Sequence, residues 1–178
     1  YPAFLWKVKM PILPLVNVYE RDYFINRKGQ MKMKIASLIS VANVKNNEKV
    51  NQASLQRYLA EMIWYPSAAI SPYIKWENIN EYSAKASMTY KGVTGSVIFH
   101  FNKNGDLEKI WALRYKDSNK NAELKEWIGE VKEVNTMKGI KIPTHVDISW
   151  VLNGEKFTWY QLEITDINYN IDRKKYLP

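Results

Sequence analysis

Arg57, Glu61 and Trp64 stand at i, i+4 and i+7, a spacing that puts a guanidinium, a carboxylate and an indole on one helix face. Two readings of that stripe stay open. The Arg–Glu pair either docks the helix and satisfies nearby backbone groups, or orients the polar head of a ligand at a cavity mouth. Arg114 ends a strand pattern on the face opposite Trp111, Leu113 and Tyr115. From there it reaches Glu61 across a sheet, or stands as a surface cation. Other carboxylates crowd one stretch at Glu126, Glu130 and Glu133, and Asp147 follows His145 by two. Acyl transfer would need a serine or cysteine nucleophile beside such a pair. No such motif adjoins it, so these groups read as solvated surface. His100, between Phe99 and Phe101, is no better placed as a base.

Metal and phosphate chemistry fare no better. The chain has no cysteine and two histidines without close spacing, so a zinc site would have to recruit carboxylates. The seven glycines are scattered, and none builds a phosphate-cradling loop. No catalytic residue, cofactor or metal is therefore expected.

The surplus is aromatic: seven Trp, twelve Tyr and five Phe are spread over nearly every strand pattern. They either fill a core or line an apolar cavity or membrane-interface rim. The candidate ligand-binding residues are Arg57, Glu61, Trp64, Trp111, Arg114 and Trp159.

The elements that must position them follow from period-two alternation. Phe4, Trp6, Val8 and Met10 alternate with Lys7 and Lys9 until Pro11 and Pro14 interrupt, and a second strand runs from Val16 to Phe24. A turn at 26–29 leads to a third strand, Met31 to Ile35, alternating with Lys32 and Lys34. Polar residues 44–50 read as a connector. Asn51 is then taken as the N-cap of the one strong helix, whose apolar stripe is Leu55, Tyr58, Leu59 and Met62, and Pro66 ends it.

From Tyr73 to Asn170 strands return. Two-residue turns at Lys91-Gly92, Asn104-Gly105, Lys138-Gly139 and Asn153-Gly154 force antiparallel neighbours. Residues 117–125 read as the most exposed loop, and the last strand as Phe157 to about Tyr169. The expected fold is α+β and mainly β, a curved antiparallel half-barrel wrapped over one principal helix. It spans residues 1–171, with 172–178 as a charged tail.

At 178 residues and 46% apolar composition the chain can bury a core, and disorder is excluded. Of the net charge of +8, residues 1–50 supply most, with nine basic side chains against three acidic ones. Lys7, Lys9, Lys32 and Lys34 fall on outer strand faces. They either protect sheet edges or face anionic headgroups or an acidic partner. No basic helix and no recognition motif is present, so nucleic acid is not an expected partner. No apolar run reaches the length of a bilayer span. The chain opens at Tyr1 and reads as a fragment, which favours a membrane-associated or extracytoplasmic setting.

The run Leu55-Gln56-Arg57-Tyr58-Leu59-Ala60-Glu61-Met62-Ile63-Trp64-Tyr65-Pro66-Ser67-Ala68 resembles the R-Y-L-A-E-x-x-W-x-P-x-A signature of an uncharacterised bacterial domain family. Downstream, Trp76-Glu77-Asn78-Ile79, Ala84-Lys85-Ala86 and Phe99-His100-Phe101-Asn102-Lys103-Asn104-Gly105 fit as well, as do Pro143 and Trp159-Tyr160. That resemblance implies a fold similar to the lipoprotein-carrier (LolA-like) half-barrels, with membrane-spanning segments upstream, and it implies no catalytic residues. The expected function is a non-enzymatic module that binds a lipid, acyl chain or other apolar ligand. The alternative is a structural or protein-interaction domain of a membrane-anchored protein. Oligomeric state is not legible.

Overall fold

The structure is a computed structural model and describes residues 1–14, 16–35, 39–45 and 47–171. The class expected from the sequence holds: α+β, mainly β, with antiparallel strands and, among the described residues, one α-helix. The strands divide between two sheets, neither closed into a barrel. The first is β1 (Phe4–Leu13), β2 (Val16–Ile25), β3 (Lys28–Ile35) and β4 (Ile39–Lys45), hydrogen-bonded in that order. After α1 (Glu48–Glu61) and a 3₁₀ turn (Pro66–Ile70) comes the second. It runs β5 (Ile74–Asn80), β6 (Ser83–Tyr90), β7 (Val93–Phe101), β8 (Leu107–Tyr115), β9 (Leu124–Met137), β10 (Ile140–Leu152) and β11 (Glu155–Glu163), again neighbour to neighbour.

Each hairpin keeps the pairing local. Asn26 and Arg27, with φ of 53° and 68°, close the β2–β3 hairpin in the left-handed region that matches strand twist. Pro11 is tolerated inside β1 because β1 is an edge, where a missing N–H costs no ladder bond.

The helix touches both sheets, and one glycine on each lets it come close. A Cβ on Gly29 in β3 would fall 2.5 Å from Ser54 Oγ, and one on Gly95 in β7 would fall 2.9 Å from Gln56 Cγ. Leu55 and Leu59 are fully buried between Phe24 of the first sheet and Met88, Val97 and Ile110 of the second. Met62 is buried as well, and Tyr58 packs at the margin. At roughly 2 kcal/mol per large apolar side chain buried, this stripe is the main reason a 14-residue segment stays helical.

Several boundaries differ from the sequence reading, each for a physical reason. The N-cap is Asn47, whose side chain accepts from the backbone N–H of Lys49 and Val50. Asn51 lies inside the helix and accepts instead from Gly29 N at 2.8 Å. The connector at 44–50 is mostly structured, since Val44 and Lys45 end β4 and the helix starts at Glu48. Strand β4 lies where the sequence pattern places no strand. The helix ends at Glu61, and Pro66 opens the 3₁₀ turn rather than stopping α1. Strand β11 ends at Glu163, with residues 164–171 outside the ladder. Leu124 and Lys125 of the expected 117–125 loop belong to β9, and the rest of that loop is tied down: Lys49 Nζ donates to the carbonyls of Asn119, Lys120 and Ala122 at 2.9–3.0 Å. The charged tail at 172–178 lies outside the described residues. Among those described, no helix is long and apolar enough to cross a membrane.

Candidate functional site

Strand β2 puts Val18, Glu20, Asp22 and Phe24 on its inner face, two carboxylates among apolar neighbours. Helix α1 delivers Arg57 against them. Arg57 pairs with Asp22, and its Nε lies 3.1 Å from Glu61 Oε1. The guanidinium sits 4.2 Å from the Trp6 ring centroid and 5.7 Å from that of Phe4, both on β1. The planar cation thus uses its edge for two carboxylates and its face for an indole, a combination lysine cannot reproduce.

From the second sheet Arg114 joins the same electrostatic cluster. It shares the inner face of β8 with Ile110 and Ala112, as the alternation required. Its amino nitrogen donates to Ala53 O at 2.9 Å, and its guanidinium stacks 4.8 Å from the Trp127 ring. It feels the charges of Glu61 and Asp22, and its hydrogen bond is to the helix backbone. Burial pushes Arg114 down to about 9, reinforced by Arg57, so it stays cationic at neutrality.

Burial dominates the acids as well. It pushes Glu61 above the usual carboxylate range, against the pull of Arg57 and Arg114. It raises Asp22 despite the Arg57 pair, and raises Glu20 with help from the Asp22 charge. Burial and then Glu61 raise Tyr65, whose hydroxyl donates to Tyr58 O at 3.0 Å.

The cluster is not sealed. The side chains of Arg57, Asp22 and Glu61 keep 21%, 12% and 18% exposure. They lie beneath a seam between two edge strands, β1 of the first sheet and β11 of the second. Across the seam Trp6 meets Tyr160 edge-on at 6.1 Å, and Tyr160 lies 5.4 Å from Trp159. Tyr160 in turn feels Arg57, Glu61 and Glu20. On β11, Phe157 and Trp159 are about half exposed, at 56% and 50%. Arg57, Asp22 and Glu61 are thus grouped against the Trp6 ring, which meets Tyr160, while Phe157 and Trp159 stand half exposed on the same edge strand as Tyr160.

Of the residues singled out from the sequence, the structure brings together Arg57, Glu61 and Arg114, and sets Trp159 at the rim. Trp64 is a strut: its Nε1 donates to Pro143 O at 2.9 Å, and its carbonyl accepts from Tyr169. Trp111 is on the outer face of β8 and donates to Glu126. Sequence reasoning missed Asp22, Glu20, Trp6 and Tyr160. A signal existed for the two acids, which stand at the apolar parity of their strand.

The remaining titratable groups lie elsewhere. His145 Nδ1 is 2.6 Å from Glu133, while Asp147 accepts from Gln161 and approaches Lys132, so His145 and Asp147 are not partners. They border an open cleft of about 430 Å³ with Lys132, Leu162 and Glu163. His100 Nδ1 meets the buried Ser83 hydroxyl at 2.8 Å. Burial and Lys109 hold His100 below its usual value, so a cation rather than an orienting carboxylate stands beside it. Among the described residues, no three side chains are grouped to hold a metal ion.

No curated protein and no solved structure matches the chain significantly. A family model does match, over residues 1–169, and the chain belongs to that family, a family of unknown function (DUF6920).

Proposed function

We propose that this chain is a non-enzymatic binding module for an amphipathic ligand of the lipid or acyl-chain class, seated at the seam between β1 and β11. The observation that carries the reading is the partly open Asp22–Arg57–Glu61 cluster beneath Trp6 and Tyr160. Desolvating an ion network costs free energy that the pairing repays only in part, so stability alone is a weak reason for carrying one. Here three charged groups keep only 12–21% exposure beside the Trp6–Tyr160 contact, an arrangement suited to a polar head with an apolar body above it. The interior along Leu55 and Leu59 is filled by the protein's own side chains. The seam, rather than the space beside the helix, is therefore the place for a ligand. The likeness to lipoprotein-carrier half-barrels that the sequence motif implies points to the same class of ligand.

Native mass spectrometry after incubation with palmitate tests this. A one-to-one complex with the full chain, weakened when both rim groups are removed (Phe157→Ser with Trp159→Ser), is expected. Absence of any complex, or undiminished binding in that variant, overturns it.

The alternative, a protein-interaction domain, rests on the same exposed edge: β11 offers unpaired backbone groups beside Phe157 and Trp159. A peptide captured along that edge would shift the β11 amide resonances over its whole length. Palmitate would shift those near Trp159 and Tyr160 alone.

A further inference from the structure

The outer face of the first sheet gathers nearly all of the chain's excess charge. Register places Lys7, Arg21 and Lys32 directly opposite one another across β1, β2 and β3. The next row is Lys9, Tyr19 and Lys34, and the opposite end of the face carries Lys28 and Lys45. None of the residues these strands present on that face is acidic, because Glu20 and Asp22 take the inner face. Like charges directly opposite on a sheet are destabilising. An edge-protecting role would be met by cations on β1 and β4 alone, yet the central Arg21 and Lys32 complete the row. At one end of the same face is the β1–β2 hairpin tip, where Met10, Pro11, Leu13 and Pro14 are exposed, Leu13 to 65%.

We infer that this face docks the chain onto a bilayer surface rich in anionic headgroups, with the hairpin tip entering the interface. Two observations together select a membrane over other polyanions. The cations are spread in two dimensions over a sheet face with Tyr19 and Tyr23 among them, as a planar charged surface requires, rather than along a groove. The apolar tip adjoins them, and a nucleic acid or an acidic peptide offers nothing to an exposed leucine between prolines. Attraction to headgroups compensates the repulsion that the cationic row costs in water. The inference stands apart from ligand binding at the seam, since the two surfaces share no residue.

Sedimentation with vesicles tests it. The chain should bind phosphatidylcholine vesicles containing phosphatidylglycerol, weaken as salt rises, and leave pure phosphatidylcholine vesicles in the supernatant unbound. Each cation near such a surface is worth about fivefold in affinity. The variant Lys7→Gln/Arg21→Gln/Lys32→Gln should therefore lose roughly 100-fold while its melting temperature holds or rises, since repulsion is relieved. The control Lys103→Gln/Lys116→Gln/Lys120→Gln, with the same net charge, should bind at close to full strength. Leu13→Asp should weaken binding with all cations in place. Equal binding to both vesicle types, equal losses in the two triple variants, or displacement from vesicles by a DNA duplex at equal charge concentration would each overturn the inference.

Discussion

The guanidinium of Arg57 lies 4.2 Å from the ring of Trp6, and that contact ties the helix to the edge strand of the first sheet. The same side chain holds Asp22 and Glu61, so its removal leaves two desolvated carboxylates without their partner. Arg57→Met should destabilise the fold by about 3 kcal/mol, the lower end for a broken buried pair because the site keeps some solvent. Arg57→Lys should lose a large part of that, since an ammonium cannot serve both acids and the indole. Urea unfolding of the three proteins checks both values.

The helix meets the first sheet through Gly29, whose N–H donates to Asn51 and whose Cα faces Ser54. Gly29→Ala should cost about 2 kcal/mol through overpacking. Asn51→Ala should cost a similar ~2 kcal/mol by leaving a buried N–H without its acceptor. Asn47→Ala, the true cap, should cost about 1 kcal/mol. Thermal melts of the single variants give the ranking.

Lys49 anchors the loop between β8 and β9 by three carbonyls, with its ammonium 5.0 Å from the Tyr115 ring. Lys49→Met should leave the helix intact and free that loop. Hydrogen exchange should quicken at residues 118–123 while α1 and β7 keep their protection.

Glu20, Asp22 and Glu61 are all raised, with burial the largest cause. A carboxyl raised on folding contributes stability that is fully present below its unfolded value, near 4.5 for glutamate, and is lost as pH rises through its folded value. The wild type should therefore gain stability relative to Glu20→Gln as pH falls from neutrality toward the unfolded value near 4.5. Glu130 behaves oppositely. Its bonds from Lys156 and Lys132 lower it, so its contribution is lost on acidification. Unfolding free energies of the wild type, Glu20→Gln and Glu130→Gln against pH separate the two signs.

Much of the fold is legible because antiparallel neighbours joined by short turns leave local marks. Alternation and the dipeptides Lys91-Gly92, Lys138-Gly139 and Asn153-Gly154 place most of the second sheet, and their positive φ angles explain why. Strand β4 was hidden because its far end is polar and a bulge at Met33/Lys34 interrupts its register. Asn47 and Asn51 are chemically equal as caps, and contacts distant in sequence separate them: the Gly29 N–H engages Asn51, while Asn47 donates to Ser118 O. The site was half legible. Arg57 and Glu61 share a helix, so spacing alone pairs them. Asp22 is 35 residues away, and Trp6 and Tyr160 meet only because the first and last strands end up as neighbouring edges. Whether an aromatic fills or lines is decided by such long-range closure, which no local period records.

Quenching of tryptophan fluorescence by a brominated stearic acid addresses the seam most directly, because bromine quenches only indoles it touches. Saturable quenching at one ligand per chain is the result the account requires, with the greater part of it abolished in Trp6→Phe/Trp159→Phe and retained in Trp111→Phe. An unquenched protein, or quenching indifferent to loss of Trp6 and Trp159, would contradict it.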